Sequence, residues 1–225
     1  MTDTARDPVN QDLFALRDRI GLRPLGLMTN QVWHQDPKRL VFTLSRYKFV
    51  AKMLKSTGRV LEVGCGDGFA ARIVRQEVGH LTITDFDPLF IADAKAHMVD
   101  PWVFDADVLD ILAAPHPGCF DAVYSLDVME HIDAAREDVY LENMKASLTD
   151  AGTIIVGMPS LESQGHASPA SKAGHVNCKT GEELRRVMLK HFQTVLIFSM
   201  NDEVVHTGFF PMAHYLFAIG VGKRG

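Results

Sequence analysis

Glu62, Gly64, Gly66, Asp67 and Gly68 crowd into one short stretch, VLEVGCGDGF, Val60 to Phe69. An apolar run enters glycines spaced by single residues, so the backbone can come close to a ligand. A triphosphate cradle requires Lys and then Ser or Thr after the last glycine. Here Phe69 and Ala70 follow Gly68. A dinucleotide fingerprint requires its third glycine three positions beyond the second, and Phe69 stands there. The acids decide more than the glycines do. Glu62 and Asp67 oppose a pyrophosphate and favour a ligand that carries positive charge.

Two more acids fall where strand tips are expected. Asp85 ends the run LTITD and can accept both hydroxyls of a ribose, as in other nucleoside-binding sheets. Asp107 lies near the end of the next strand, where a carboxylate can accept from an adenine amino group beside the apolar edge of Val108. Asp105 competes with it for that role. Cys65 and Phe86 adjoin these positions and belong to the same expected pocket. The combination selects a cationic nucleoside without phosphates, a description that S-adenosylmethionine meets.

A second constellation lies in LDVMEHI, Leu126 to Ile132. His131 is a natural proton acceptor near neutral pH, with Glu130 beside it; a structural role for the pair is equally open. As a metal set, Glu130 and His131 are adjacent and would point apart on a helix, while Asp127, three positions before Glu130, has feasible geometry. The His175 region offers a further ligand, but no complete ligand signature is present and no metal is expected. The stretch SQGHASPASKAGHVNC, rich in small residues, reads as an active-site flap carrying His166 and His175. His206 and His214 flank the loop NDEVVHTGFFPMAH, which suits a substrate wall or, equally, a dimer surface. A homodimer is therefore carried as an expectation.

The elements that must hold these residues follow from the hydrophobic period. Leu40, Leu44, Tyr47, Ala51 and Leu54 recur at helical steps, with Asp36 as N-cap, Pro37 at the first position and Gly58 past the end. From residue 59 strands and helices alternate. Strands are expected at RVLEVG, LTITDF, WVFDAD, FDAVYSL, GTIIVGMP, TVLIFSM and HYLFAIGVG. Helices are expected at FAARIVRQEVGH, PLFIADAKAHM (opened by Asp87 and Pro88), AAREDVYLENMKASL and TGEELRRVMLKHF (capped by Thr180). Residues 11–20 form a short helix, residues 1–10 read as disordered, and Trp33 and His34 fall in a loop. This order gives an α/β, doubly wound, seven-stranded, mostly parallel sheet. Residues 1–57 form an N-terminal helical lid and 58–225 the nucleoside-binding domain.

Composition removes several classes. The 225 residues are 47% hydrophobic and 23% charged, with net charge −5. No basic patch with interleaved aromatics is present, so nucleic acid is not an expected partner. The polar N-terminus is unlike a signal peptide, and no apolar run suffices to span a bilayer. The three cysteines lack metal spacing and read as free thiols. A cytoplasmic protein without a membrane partner is the expectation.

The ordered set VLEVGCGDG, TITDFDP, ADVLD, FDAVYSLDVMEHI, LTDAGTIIVGMP and TGEELRRVMLKHF resembles the class I S-adenosylmethionine-dependent methyltransferases over roughly residues 58–200. The resemblance implies that Gly64, Gly66 and Gly68 hold the methionine moiety, Asp85 the ribose, and Asp107 with Val108 the adenine. Leu126 packs beside the cofactor. It also implies that the N-terminal helices cover the site, so that Trp33, His34, Arg46 and Tyr47 face cofactor or substrate. His175 is substrate-facing by the same analogy, and His206 joins the substrate set. The likeness extends to small-molecule O-methyltransferases, including those of quinone biosynthesis, whose equivalent segment also reads Glu-His. Transfer to an oxygen of a small polar or sugar-like acceptor is the expected reaction. Nitrogen methylation, a nicotinamide-dependent oxidoreductase and a non-catalytic nucleoside-binding module are the alternatives.

Overall fold

The computed structural model describes residues 4–98 and 103–225. Five strands run parallel: β1 (Arg59–Val63), β2 (His80–Asp85), β3 (Asp105–Val108), β4 (Phe120–Leu126) and β5 (Leu148–Pro159). β6 (Phe192–Asn201), β7 (Val204–His206) and β8 (Tyr215–Lys223) complete one sheet in the order β3-β2-β1-β4-β5-β8-β6-β7. β8 enters antiparallel between β5 and β6.

Among the described residues the sheet has eight strands, one more than the hydrophobic pattern indicates. The extra one, β7, comes from the expected final loop. Asn201 pairs with Val204 across a two-residue turn, and Asp202 takes the left-handed φ of 50° that such a turn demands. β3 begins at Asp105, and Trp102 of the expected strand lies outside the described residues.

Both faces of the sheet are covered, which is why its central strands read as unbroken apolar runs. Val60 packs on one side with Val50, Ala51, Leu54, Val74 and Ile91. Its neighbour Leu61 packs on the other with Tyr140, Leu141, Met144, Leu184 and Met188. The first layer is built by α3 (Pro37–Met53), α4 (Ala71–Arg75) and α5 (Pro88–His97), the second by α6 (Glu137–Ala146) and α8 (Gly181–His191). α4 is far shorter than the pattern suggests. The chain must return at once to β2, where the Gly79 and His80 amides donate to Thr57 and Gly58 carbonyls.

Caps mostly follow the sequence. Asp87 accepts from the Leu89 amide, and Thr180 with Glu183 forms a full capping box. Asp36 sits at the N-cap of α3 but makes no side-chain cap bond. Before α3 come α1 (Gln11–Ile20), with no buried residue, and α2 (Leu27–Gln35). Trp33 and His34 therefore lie on a helix, not in a loop. Ahead of α1, Pro8–Asn10 makes a 3-10 turn capped by Asp7. The segment after β5 is likewise more ordered than a flap, with a 3-10 turn at Glu162–His166 and the short α7 (Pro169–Gly174). Among the described residues no helix is long and apolar enough to cross a membrane.

Candidate active site

The direction of strand addition reverses between β1 and β4, and the carboxyl ends there open the crevice where such sheets bind ligands. The glycine loop forms its floor. Gly64, Gly66 and Gly68 have φ of 78°, 53° and 66°, a region costly for any residue with a Cβ. At Gly66 a Cβ would stand 2.6 Å from Met28 Sδ, so α2 already lies over the loop. The thiol of Cys65 is buried and donates to the Gly66 carbonyl.

Asp85 holds the loop from the side. Its carboxylate accepts from the Gly66 amide at 3.0 Å and the Asp87 amide at 2.9 Å. Burial raises its pKa, and the Asp87 and Gly66 amides oppose that rise. Phe86, 73% exposed, and Val108, 55% exposed, present apolar surface next to it. Asp107 has its side chain 58% exposed near the tip of β3. Asp105 is engaged lower down, 2.9 Å from His80 Nε2 at the start of β2. Asp107 Oδ2 stands 3.8 Å from His116 Nε2.

Two acids expected to greet a cation directly are occupied otherwise. Glu62 is 1% exposed, and its oxygens accept from the Tyr47 hydroxyl at 2.6 Å and the Tyr124 hydroxyl at 2.7 Å. Burial pushes its carboxyl up to about 7 even though both tyrosines oppose the shift. Tyr47 is thereby committed to Glu62 and does not reach into the crevice. Asp67 accepts from the amide and hydroxyl of Thr29, and Asp93 accepts from the Leu27 amide. Both carboxylates cap α2, where acids meet unsatisfied amides. Glu62 and Asp67 act behind and above the loop and tie the N-terminal helices to it.

Arg46 does come to the site. Its Nη1 donates to both oxygens of Asp127, at 2.9 and 2.7 Å, and its guanidinium lies 3.9 Å over the Tyr215 ring. Its Nε is buried without a hydrogen-bond partner among the described residues. Asp127 itself has φ 57°, an uncommon conformation for a residue with a side chain. Leu126, at the end of β4, is buried beside it.

Beyond Asp127 the chain makes a 3-10 turn, Met129–His131, instead of a helix. Adjacent residues on this turn converge. Glu130 goes inward, 1% exposed, and its Oε2 has no hydrogen-bond partner among the described residues. His131 bends back so that Nε2 stands 4.0 Å from Glu130 Oε1. Burial and the charge of Asp127 raise the Glu130 carboxyl well above its ordinary range. The Val176 and Asn177 amides both donate to the Glu130 carbonyl, which brings in His175. The two imidazoles lie 5.1 Å apart, edge to face. Glu130, His131 and His175 offer ligand atoms within 4.8 Å of one another. The expectation that adjacency keeps Glu130 and His131 apart is corrected by the 3-10 turn.

Three expected substrate residues are not brought here. Trp33 is 52% exposed and His34 is also exposed, and neither side chain makes a hydrogen bond or ring contact among the described residues. His206 spends both ring nitrogens inside the β6–β7 hairpin, on Asn201 Oδ1 and the Gly208 amide. His214 stands instead against Phe42, its Nε2 accepting from the Asp202 amide. Sequence reasoning gave no role to Gln164, Tyr124 and Tyr215. Gln164 sits in a polar turn and the tyrosines in apolar runs, with no spacing to signal a polar role.

A doubly wound sheet with a left-handed glycine loop at its reversal point and an acid at the tip of β2 defines a nucleoside-binding α/β enzyme. Residues 32–193 match the family described as a methyltransferase domain. The chain belongs to this family, and its fold is that of the class I S-adenosylmethionine-dependent methyltransferases. A ubiquinone biosynthesis O-methyltransferase of Xanthomonas euvesicatoria is 30% identical over 118 residues, 49% of each chain. One of Xylella fastidiosa is 29% identical over 91 residues, 39% of this chain and 37% of its own. The match thus spans about half the length of these curated relatives or less. Among solved structures, the N-methyltransferase NodS of Bradyrhizobium japonicum, with S-adenosyl-l-homocysteine, superposes with TM-score 0.60 at 17% identity. That alignment covers 84% of this chain and 90% of NodS. A methyltransferase of Clostridium acetobutylicum gives 0.66 at 10% identity, covering 85% and 97%. At these identities the structures speak to the fold.

The residues present fit the cofactor. The backbone around Gly66 lacks the Cβ that would fill the cradle, and the carboxylate of Asp85 meets it from the adjoining strand. With methyltransferase relatives throughout, the oxidoreductase and the non-catalytic module are set aside.

Proposed function

We propose that the enzyme methylates an oxygen of a small polar or sugar-like acceptor. S-adenosylmethionine supplies the methyl group on a sulfonium that needs no further activation. The chain must therefore bind, align and remove a proton. Asp85 is assigned to the ribose, Phe86 and Val108 to the faces of the adenine and Asp107 to its amino group. The loop at Gly64, Gly66 and Gly68 is assigned to the methionine end, with Arg46 near its carboxylate. The acceptor hydroxyl is assigned to the trio Glu130, His131 and His175.

The single observation that supports oxygen as the target is the state of those histidines. His131 Nδ1 lies 2.9 Å from the Gly174 carbonyl, which only accepts. The proton is therefore on Nδ1, and in the neutral ring Nε2 carries the lone pair. A lone pair held next to a buried carboxylate draws off a hydroxyl proton. An amine that is already neutral at the working pH attacks without such help, whereas an alkylammonium must first lose a proton. The oxygen specificity in the names of the curated relatives agrees with this. The test is incubation with methyl-labelled S-adenosylmethionine and matched hydroxyl and amine acceptors, read by NMR. Label in methoxy products supports the reading, and label confined to N-methyl products defeats it.

A further inference from the structure

We propose that α1 of one chain seats in the groove between α3 and α4 of a second copy, and reciprocally, so that the enzyme is a two-fold dimer. The inference is independent of the acceptor.

α1 is a helix without a place to pack. It has ten residues and none is buried. A helix that short is marginal in water unless one face is covered. Val9, Leu13, Leu16 and Ile20 follow one another at steps of four, three and four, which puts them on one face. They are 82%, 63%, 43% and 38% exposed. Val9 belongs to the 3-10 turn that leads into the helix. Phe14, off this stripe, is covered by Arg17, which also pairs with Asp18.

The same chain carries a matching groove. Between α3 and α4 about 370 Å³ lies open to solvent. That is room for a row of side chains, since one water takes roughly 30 Å³. Val41, Leu44, Ala51 and Ile73 make an apolar floor, and Val41 is 48% exposed. Lys48 and Lys52 of α3 form one rim, and Gln76 and Glu77 beyond α4 the other.

Charge sets the direction of the seated helix. Lys48, Lys52 and Lys55 gather near the end of α3 around one acid, Glu77, which is 3.6 Å from Lys52 and 3.9 Å from Lys55. Lys48 has no ionic partner among the described residues, and neither has Asp12 in the first turn of α1. Arg17 and Arg19 occupy the last turn. Antiparallel to α3, α1 brings Asp12 to Lys48 and sets the two helix dipoles in opposition, the favourable arrangement.

The occupant is another molecule because of where the chain's own linker runs. Arg23 and Pro24, between α1 and α2, lie against Phe69, Ala94 and His97, on the α5 flank of α4. The groove is on the α3 flank. Exchange of identical segments about a two-fold axis fills both grooves at once. The expected homodimer then forms on the first layer of helices, not at the final loop.

Sedimentation velocity from about 1 to 100 μM tests this. The mass should double from the 25.0 kDa of one chain as concentration rises. Leu16→Asp and Val41→Asp should each weaken the dimer at least ~10-fold. Neither should move the melting temperature of the dilute chain, where both side chains are exposed. Asp12→Lys should also weaken it, and Asp12→Lys with Lys48→Asp should restore it. In a Cys119→Ser background, mixed Leu16→Cys and Val41→Cys chains should form a disulfide-linked pair on mild oxidation. A monomer throughout, or a dimer indifferent to Leu16→Asp and Val41→Asp, overturns the proposal. So does a chain carrying both new cysteines that closes only on itself.

Discussion

Glu62→Gln probes the polar node beneath the glycine loop. The Glu62 carboxyl joins β1, β4 and α3 through two tyrosine hydroxyls in a site closed to water. It holds its proton up to about pH 7 in the folded chain, against an ordinary value of 4.5. The protonated form therefore favours folding. That contribution is complete below pH 4.5 and lost as pH rises through about 7. At about 1.4 kcal/mol per tenfold change in proton affinity, the change is worth ~3 kcal/mol. Gln resembles the protonated acid, accepting from one tyrosine through its carbonyl and donating to the other through its amide. Urea unfolding of parent and variant between pH 4.5 and 8 gives the difference in stability, in which other titrating groups cancel. The variant should match the parent near pH 4.5 and gain on it by ~3 kcal/mol towards pH 8. A difference independent of pH would refute the burial argument, as would a gain at the acid end.

Other expectations follow from single contacts. Tyr47→Phe removes a hydrogen bond to a buried acid and should cost ~1.5–3 kcal/mol in urea unfolding. Gly66→Ala combines a left-handed φ with a Cβ 2.6 Å from Met28 Sδ. It should weaken S-adenosylhomocysteine at least tenfold by calorimetry, and Met28→Ala in the same chain should recover only the steric part. Gly26→Ala would drive a Cβ into the Asp67 carboxylate and unseat α2, so limited proteolysis should cut near Leu27 sooner than in the parent. Asp85→Asn keeps one acceptor for the Gly66 amide while removing the charge, and cofactor affinity should drop while the melting temperature moves little.

The sheet was legible because its strands are buried on both faces. Runs such as VLEV and AVYSL admit few other readings once short helices with Asp–Pro or Thr starts separate them. The eighth strand was not legible. Its three residues are held by a turn at Asp202, and nothing in NDEVVHTG distinguishes that turn from a loop. At the site, Asp85 and the glycines announced themselves by spacing along the chain. Residues whose role depends on contacts between distant segments did not. Glu62 looks like a ligand acid until Tyr47 and Tyr124 are seen on it, and Asp67 until Thr29 is. The convergence of Glu130, His131 and His175 needs a 3-10 turn and a loop pinned 43 residues downstream of His131, which no periodicity encodes. Trp33 and His34 were placed by analogy, and the observed helix turns them outward.

The central claim is that the crest of this sheet receives S-adenosylmethionine with its sulfur directed at the Glu130–His131–His175 trio. A crystal structure with S-adenosylhomocysteine measures this directly. The account predicts both ribose hydroxyls on Asp85, the homocysteine chain along Gly64 to Gly68, and the sulfur facing His131 Nε2 across an open space. A ligand bound with its sulfur turned away from the trio, or with its ribose clear of Asp85, would contradict it.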